Sequence, residues 1–363
     1  MSTTLLIATA GVFLFGLLVR RLHRLPTPAD EFHFAPTVDG WNLALYRYRP
    51  AARHPADGRE PVVVCHGLLS NRFNVDLDDE HSIARYLREA GFDVWVMELR
   101  GHGGSVRDGR GGLRPFDWTL DHYVQRDLPA VIDYVRRATG RPAVHWVGHS
   151  LGGMILYAAC AVGLTGGIRS AVMSDVPADF SRIRSRKTAG LVYTRFVPVV
   201  PPVLFIPLVL VLGLLSPTLF LPKYGIRTRR TMLRLVANGI IDLGCSRVAR
   251  HLGEVLERGR FVSSDGTIDY EAGIERIHFP VLQLAAAARR SPPSVTRILI
   301  DRAPVCDKEY VTLGRAEGFS EDYNHFTVLL GERARDEVFP IVTAFLQRHS
   351  SAAPAPGDGR RGA

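Results

Sequence analysis

The first hydrophobic feature of the chain is an apolar run from Leu5 to Val19 without a charged residue, closed by Arg20, Arg21, His23 and Arg24. With Thr3 and Thr4 it reaches about 17 residues, the lower limit for crossing a bilayer. A secretory leader carries its positive charge before the apolar stretch and a small-residue cleavage site after it; here the charge follows and no such site does. Residues 1–25 are therefore read as an uncleaved N-terminal membrane anchor, and the basic cluster on its C-terminal side puts the rest of the chain in the cytoplasm.

From Phe32 the period changes to two. Phe32–Val38 and Trp41–Tyr48 alternate on either side of Asp39-Gly40, which predicts a β-hairpin. A continuous apolar run at Pro61–Cys65 then follows, and short, mainly apolar runs at Phe92–Met97, Ala143–Val147, Ile168–Met173 and Pro280–Leu284 read as further strands of a buried sheet. Helical stretches lie between the early ones, at Ser82–Ala90, Leu120–Arg137 and Leu151–Val162, so an α/β fold with a mostly parallel central sheet is expected. After Met173 the alternation stops, and it resumes only at Pro280. The predicted organisation is a core of 31–178 and 279–349, a cap inserted over 179–278, and a disordered tail over 350–363, rich in Ala, Pro, Gly and Arg. The closing core elements are a helix over Ser294–Asp301, a strand over Lys308–Leu313 and a helix over Glu332–Gln347.

Composition changes this picture in one respect. With 46% hydrophobic and 22% charged residues the chain reads as globular, and a formal charge of +9 calls for an acidic partner. The uncharged stretch Phe196–Pro222 is flanked by Arg182, Arg184, Arg186, Lys187, Lys223, Arg227, Arg229 and Arg230. Basic residues beside apolar ones fit an anionic membrane surface, and no nucleic-acid recognition motif accompanies them. Pro198, Pro201, Pro202, Pro207, Pro217 and Pro222 break the stretch, so it is read as a lipid-facing lid, with a buried structural cap as the alternative, and not as a membrane-spanning helix. Cys65, Cys160, Cys245 and Cys306 are scattered without a paired spacing and are expected as buried free thiols.

The chemistry sits at Gly148-His149-Ser150-Leu151-Gly152-Gly153, which follows one buried strand and opens the next helix. This is the G-x-S-x-G elbow in its required strand-to-helix setting, where a sharp turn presents the Ser hydroxyl at the carboxyl edge of the sheet. Together with His66-Gly67-Leu68 and its following Leu-Ser-Asn, and with the stretch Asp93–Ser105, the elbow resembles the α/β-hydrolase family, in particular its lipase and esterase branch of acid lipases and monoacylglycerol lipases. The likeness extends over most of Phe32–His349.

That resemblance implies an oxyanion hole from the backbone N–H groups of Leu68 and Leu151, and a triad in the order Ser, acid, His. His66, His102 and His149 precede or adjoin the nucleophile and are read as structural. Of the later histidines, His251 lies in the insertion, His278 before the strand at Pro280 and His349 at the terminal tail, which leaves His325 as the base. The family's usual acid position is occupied by Arg289. Asp175, directly after the Ile168–Met173 strand, is the substitute, with Asp179 and Asp322 as further choices and helix capping as the alternative use of Asp175 and Asp179. The expected function is a membrane-anchored serine hydrolase acting on lipid or other hydrophobic esters, without metal or cofactor. Acyl transfer or thioester hydrolysis at the same site, and a non-catalytic lipid-binding scaffold, are the competing readings.

Overall fold

In a computed structural model of the chain, the described residues are 21–51, 59–107, 117–183, 186–196, 246–288 and 292–351, with single positions between Ala10 and Leu18 and between Arg234 and Asn238. Most of the anchor segment 1–20, the stretch 197–233 that holds the lid sequence, Cys245, Arg289 and the tail from Ala352 lie outside them. Among the described residues no helix is long and apolar enough to cross a membrane.

One sheet organises the chain. Its strands are β1 (Glu31–Pro36), β2 (Trp41–Tyr48), β3 (Val62–Cys65), β4 (Val94–Met97), β5 (Val106–Arg107), β6 (Val144–His149), β7 (Ile168–Ser174), β8 (Val281–Ala286) and β9 (Lys308–Leu313). Their order is β1-β2-β4-β3-β6-β7-β8-β9, with β5 paired to β2. The hairpin β1–β2 enters antiparallel, and every pair from β4 to β9 is parallel. All residues of β3, β4, β6 and β8 are buried, because the crossover helices cover both faces.

The pleat divides those residues between two cores. Val63, Cys65, Trp95, Met97 and Trp146 face one cluster, and Val62, Val64, Val94, Val96 and Val147 the other. The second cluster contains the apolar side of α1 (Ile83–Glu89). The first contains α2 (Leu128–Thr139), preceded by a helical turn at Leu120–His122 and a π-turn at Tyr123–Asp127, and α3 (Leu151–Ala161).

Between β7 and β8 the chain leaves the sheet. This excursion contains α4 (Arg186–Leu191) and α5 (Ser246–Arg258), which meet where Gly253 approaches the Gly190 backbone, and a 3-10 turn at Glu271–Arg276 that packs on α3. Its base is tied to the core by aromatic contacts of Phe261 with Tyr157, Phe180 and Tyr270 at centroid distances of 5.0–6.0 Å, and by the Tyr270 hydroxyl donating to Asp121. After β8 come α6 (Ser294–Arg302) and α7 (Phe339–His349). The single closing helix expected over Glu332–Gln347 is instead a turn at Ala334–Glu337 followed by α7, because Pro340 has no N–H to continue a helix and so sits in the first turn of α7. His349 is thus the end of a helix and not part of the tail. The cysteine expectation is also corrected: Cys65 and Cys160 are buried free thiols, but Cys306 is exposed in the loop before β9.

Candidate active site

Ser150 is the turn between β6 and α3, with φ 51° and ψ −113°. A side chain in this region is held against its own backbone preference at a cost of about 1–3 kcal/mol. The flanking glycines permit it: a Cβ on Gly148 would lie 2.5 Å from the Gly152 backbone, and one on Gly152 would lie 2.5 Å from the Cys65 carbonyl oxygen. The Ser150 N–H is fixed by donation to the Ser174 carbonyl at 3.0 Å. Among the described residues only Leu69, Ser150 and Asp175 have positive φ without being glycine, and all three belong to this site.

Asp175 follows β7 and is buried, at 1% exposure. Its backbone N–H donates to Leu284 O at 2.8 Å, and its Oδ1 accepts from the Ala286 N–H at 2.9 Å, so the carboxylate reaches across the end of the neighbouring β8. The other oxygen, Oδ2, is 2.6 Å from Nδ1 of His325. A carboxylate can only accept, so Nδ1 carries the proton and Nε2 is left with the lone pair a general base requires. His325 sits in the loop after β9, where Asn324 Oδ1 caps the turn Thr327–Leu330 by accepting from the N–H groups of Phe326 and Thr327.

His149, the neighbour of Ser150, joins the two sides of the site. Its Nε2 lies 2.8 Å from the His325 carbonyl oxygen, its Nδ1 lies 2.7 Å from Asn74 Oδ1, and its ring centroid is 4.8 Å from that of His325. Burial holds its pKa down at about 3, so the ring is neutral and donates to one of these acceptors at a time. Asn74 Oδ1 also accepts from the Gly67 N–H at 3.1 Å, which fixes the turn His66–Ser70 beside the elbow. A methyl group on Gly67 would be 3.4 Å from Ser150 Cβ, a measure of how closely that turn passes. At the start of α3, the Leu151 N–H has no intrahelical acceptor. Behind the turn, Glu98 is buried and accepts from the N–H groups of Arg72 and Gly104 and from the Tyr46 hydroxyl; burial raises its pKa.

The remaining sequence candidates fall elsewhere. Asp179 caps the 3-10 turn Phe180–Arg182 by accepting from Ser181, and Asp322 accepts from the Arg315 N–H. His66 is buried with Nδ1 on the Gly67 carbonyl and Nε2 accepting from the Leu99 N–H, and its pKa is lowered to about 3 by burial. The His102 ring lies against that of His66, His251 bonds to the Val262 carbonyl, and His278 is near the Arg276 carbonyl. Asp307, Glu309 and His349 form the group that could hold a metal ion among the described residues, but Asp307 and Glu309 lie at the start of β9, the sheet edge opposite the elbow, and Glu309 is paired with Arg348. Sequence reading missed Asn74 and Glu98; an Asn after a Gly-rich turn reads only as a capping residue until its long-range partners are known.

Residues 60–190 match the family model of the alpha/beta hydrolase fold. A stretch of 170 residues is 37% identical to Triacylglycerol lipase 2 of Arabidopsis thaliana, covering 44% of this chain and 40% of that one. The match thus spans about two fifths of that relative's length. Among solved structures, a thermophilic esterase from Thermogutta terrifontis superposes with a TM-score of 0.58 at 16% identity over 88% of this chain and all of the other. A membrane phospholipase A superposes with a TM-score of 0.57 at 17% identity, over 95% of this chain and 96% of that one. Fold and elbow together define an α/β-hydrolase-fold protein. Within that class the chain is similar to the lipases and esterases.

Proposed function

We propose that the protein is a membrane-associated serine hydrolase of carboxylic esters with lipid character, using Ser150, His325 and Asp175. The observation that carries this reading is the 2.6 Å bond between the buried Asp175 and His325, next to a serine in a strained elbow. It supplies the acid that Arg289 replaces at the usual position, and it weighs against a non-catalytic scaffold. Ser150 Oγ would attack the acyl carbonyl while His325 Nε2 takes its proton. Asp175 would keep the imidazole in the right tautomer and stabilise the imidazolium. The N–H groups of Leu68 and Leu151 would donate to the oxyanion of the tetrahedral intermediate. Its collapse releases the alcohol with the proton from His325, and water, deprotonated by the same ring, hydrolyses the acyl-enzyme.

The lipid part of the reading rests on the N-terminal segment and the insertion. Leu14, Leu18 and Leu22, four residues apart on one helical face, are all more than half exposed, as expected for an apolar surface whose partner is a bilayer. At the end of α4, Leu191 and Val192 are exposed just before the uncharged Phe196–Pro222 stretch, with Arg182, Arg186 and Lys187 close in sequence. The insertion would then admit an acyl chain from an anionic membrane whose cytoplasmic side carries the catalytic body. The test is hydrolysis of p-nitrophenyl esters from acetate to palmitate, with and without anionic vesicles. A preference for long chains, raised by vesicles and lost on deletion of 197–222, is expected; a chain-length profile unchanged by the deletion would overturn the lid role.

A further inference from the structure

The turn that passes Ser150 is itself strained at Leu69, with φ 54°, and such a conformation persists only where its surroundings fix it. Its support can be followed outward. The Gly67 N–H is held by Asn74, and Asn74 belongs to the short 3-10 turn Arg72–Asn74, which Asn71 caps by accepting from the Phe73 N–H. The other end of the Asn71 amide, Nδ2, donates 3.0 Å to the backbone carbonyl of Asn238, in the insertion. The Asn238 side chain in turn pairs with the backbone that leaves the N-terminal helix: its Oδ1 accepts from the Leu25 N–H at 2.9 Å and its Nδ2 donates to His23 O at 3.0 Å. Two residues on, the Thr27 hydroxyl receives a hydrogen bond of 2.9 Å from the Arg72 guanidinium. Three parts of the chain far apart in sequence therefore close on one turn.

We propose that Asn238 is a positioning residue: it clasps the segment leaving the N-terminal helix to the turn His66–Ser70 and so sets the position of the Leu68 N–H relative to Ser150. An amide is the side chain suited to this contact, because it offers a donor and an acceptor at the spacing of a backbone pair, whereas a carboxylate lacks the donor and an aliphatic chain lacks both. The residues after the predicted anchor are thereby tied to the turn beside Ser150, and a shift of the membrane-proximal end is transmitted to that turn. The catalytic consequence rests on the ester-hydrolase reading; the clasp itself does not.

The test uses the full chain in detergent, with p-nitrophenyl butyrate as a soluble substrate and amide hydrogen exchange over 66–76 as a second readout. Asn238→Ala removes the grip on His23 and Leu25. Asn71→Ser keeps an acceptor for the Phe73 N–H but is too short to reach Asn238. Each is expected to lower kcat on the order of tenfold with KM within about twofold, since a misplaced oxyanion donor is felt in the transition state. Exchange over 66–76 should quicken in both, and the double variant should add little because both cut one chain of contacts. Asn238→Asp, which keeps the acceptor for Leu25, should fall between Asn238→Ala and wild type. Unchanged kcat in either single variant, or unchanged exchange, would overturn the proposal. If the wild-type protein hydrolyses no ester, the ester-hydrolase reading fails and the exchange data alone decide whether the clasp exists.

Discussion

Ser150 and Asp175 both have positive φ at the ends of adjacent parallel strands, β6 and β7, and Leu69 has it in the turn beside them. Strain concentrated at three neighbouring points is offset by the core that holds them, as expected where geometry serves chemistry. Asp175→Asn should leave the fold intact, since Nδ2 or Oδ1 can still meet its neighbours. It should nevertheless lower kcat on a soluble ester by about three to four orders of magnitude, because the wrong tautomer of His325 is then favoured. A loss below tenfold would remove Asp175 from the proposed triad. Gly148→Ala is expected to lower the thermal unfolding midpoint, since its Cβ would meet the Gly152 backbone at 2.5 Å; overpacking of this kind costs about 1–3 kcal/mol. At this scale Ser150 was legible because the G-x-S-x-G spacing and its strand-helix setting are local. The bond from Asp175 to His325 was not, because it joins residues 150 positions apart. In the sequence Asp175 stands as the substitute acid with helix capping as an equally weighted use, and it is the course of β7 beside β8 that puts its carboxylate on His325.

At the scale of elements, short and mainly apolar runs marked the buried strands of the sheet, since burial on both faces favours apolar side chains, and the polar exceptions His145 and Gln283 are hydrogen-bonded inside. The insertion was less legible. Its α5 has apolar and charged residues at helical spacing, yet it falls where strand-helix alternation has ceased. Its 3-10 turn Glu271–Arg276 contains Glu271, whose pKa burial raises from 4.5 to about 6. For an acid whose folded pKa lies above the unfolded one, the stabilising protonated form is present below pH 4.5 and is lost as the pH rises through 6. Glu271→Gln should therefore stabilise the protein at pH 8, by about 1 kcal/mol once solvent access to the side chain is allowed for, and change little at pH 4. Urea unfolding at the two pH values checks this, and an equal effect at both would contradict it.

For the whole molecule, three buried histidines govern the acid limit. His66 and His149 are held at about 3 and His145 at about 4, in each case first by burial. Their folded pKa values lie below the unfolded 6.5, so the stability they contribute is complete above that pH and is lost as pH falls toward 4. The urea midpoint is expected to be lower at pH 5 than at pH 7.5; equal midpoints would show that these rings accept protons in the folded state. The hydrogen bonds that join His23 and Leu25 through Asn238 to Asn71 were not legible, because nothing in local spacing relates these residues. The central claim, that Ser150 is an activated nucleophile, is tested most directly by treating the purified protein with a fluorophosphonate and measuring its intact mass. One covalent adduct on wild type, absent in Ser150→Ala and formed far more slowly in His325→Ala, is expected. No adduct on folded wild-type protein would contradict the assignment of Ser150, His325 and Asp175 as a working triad.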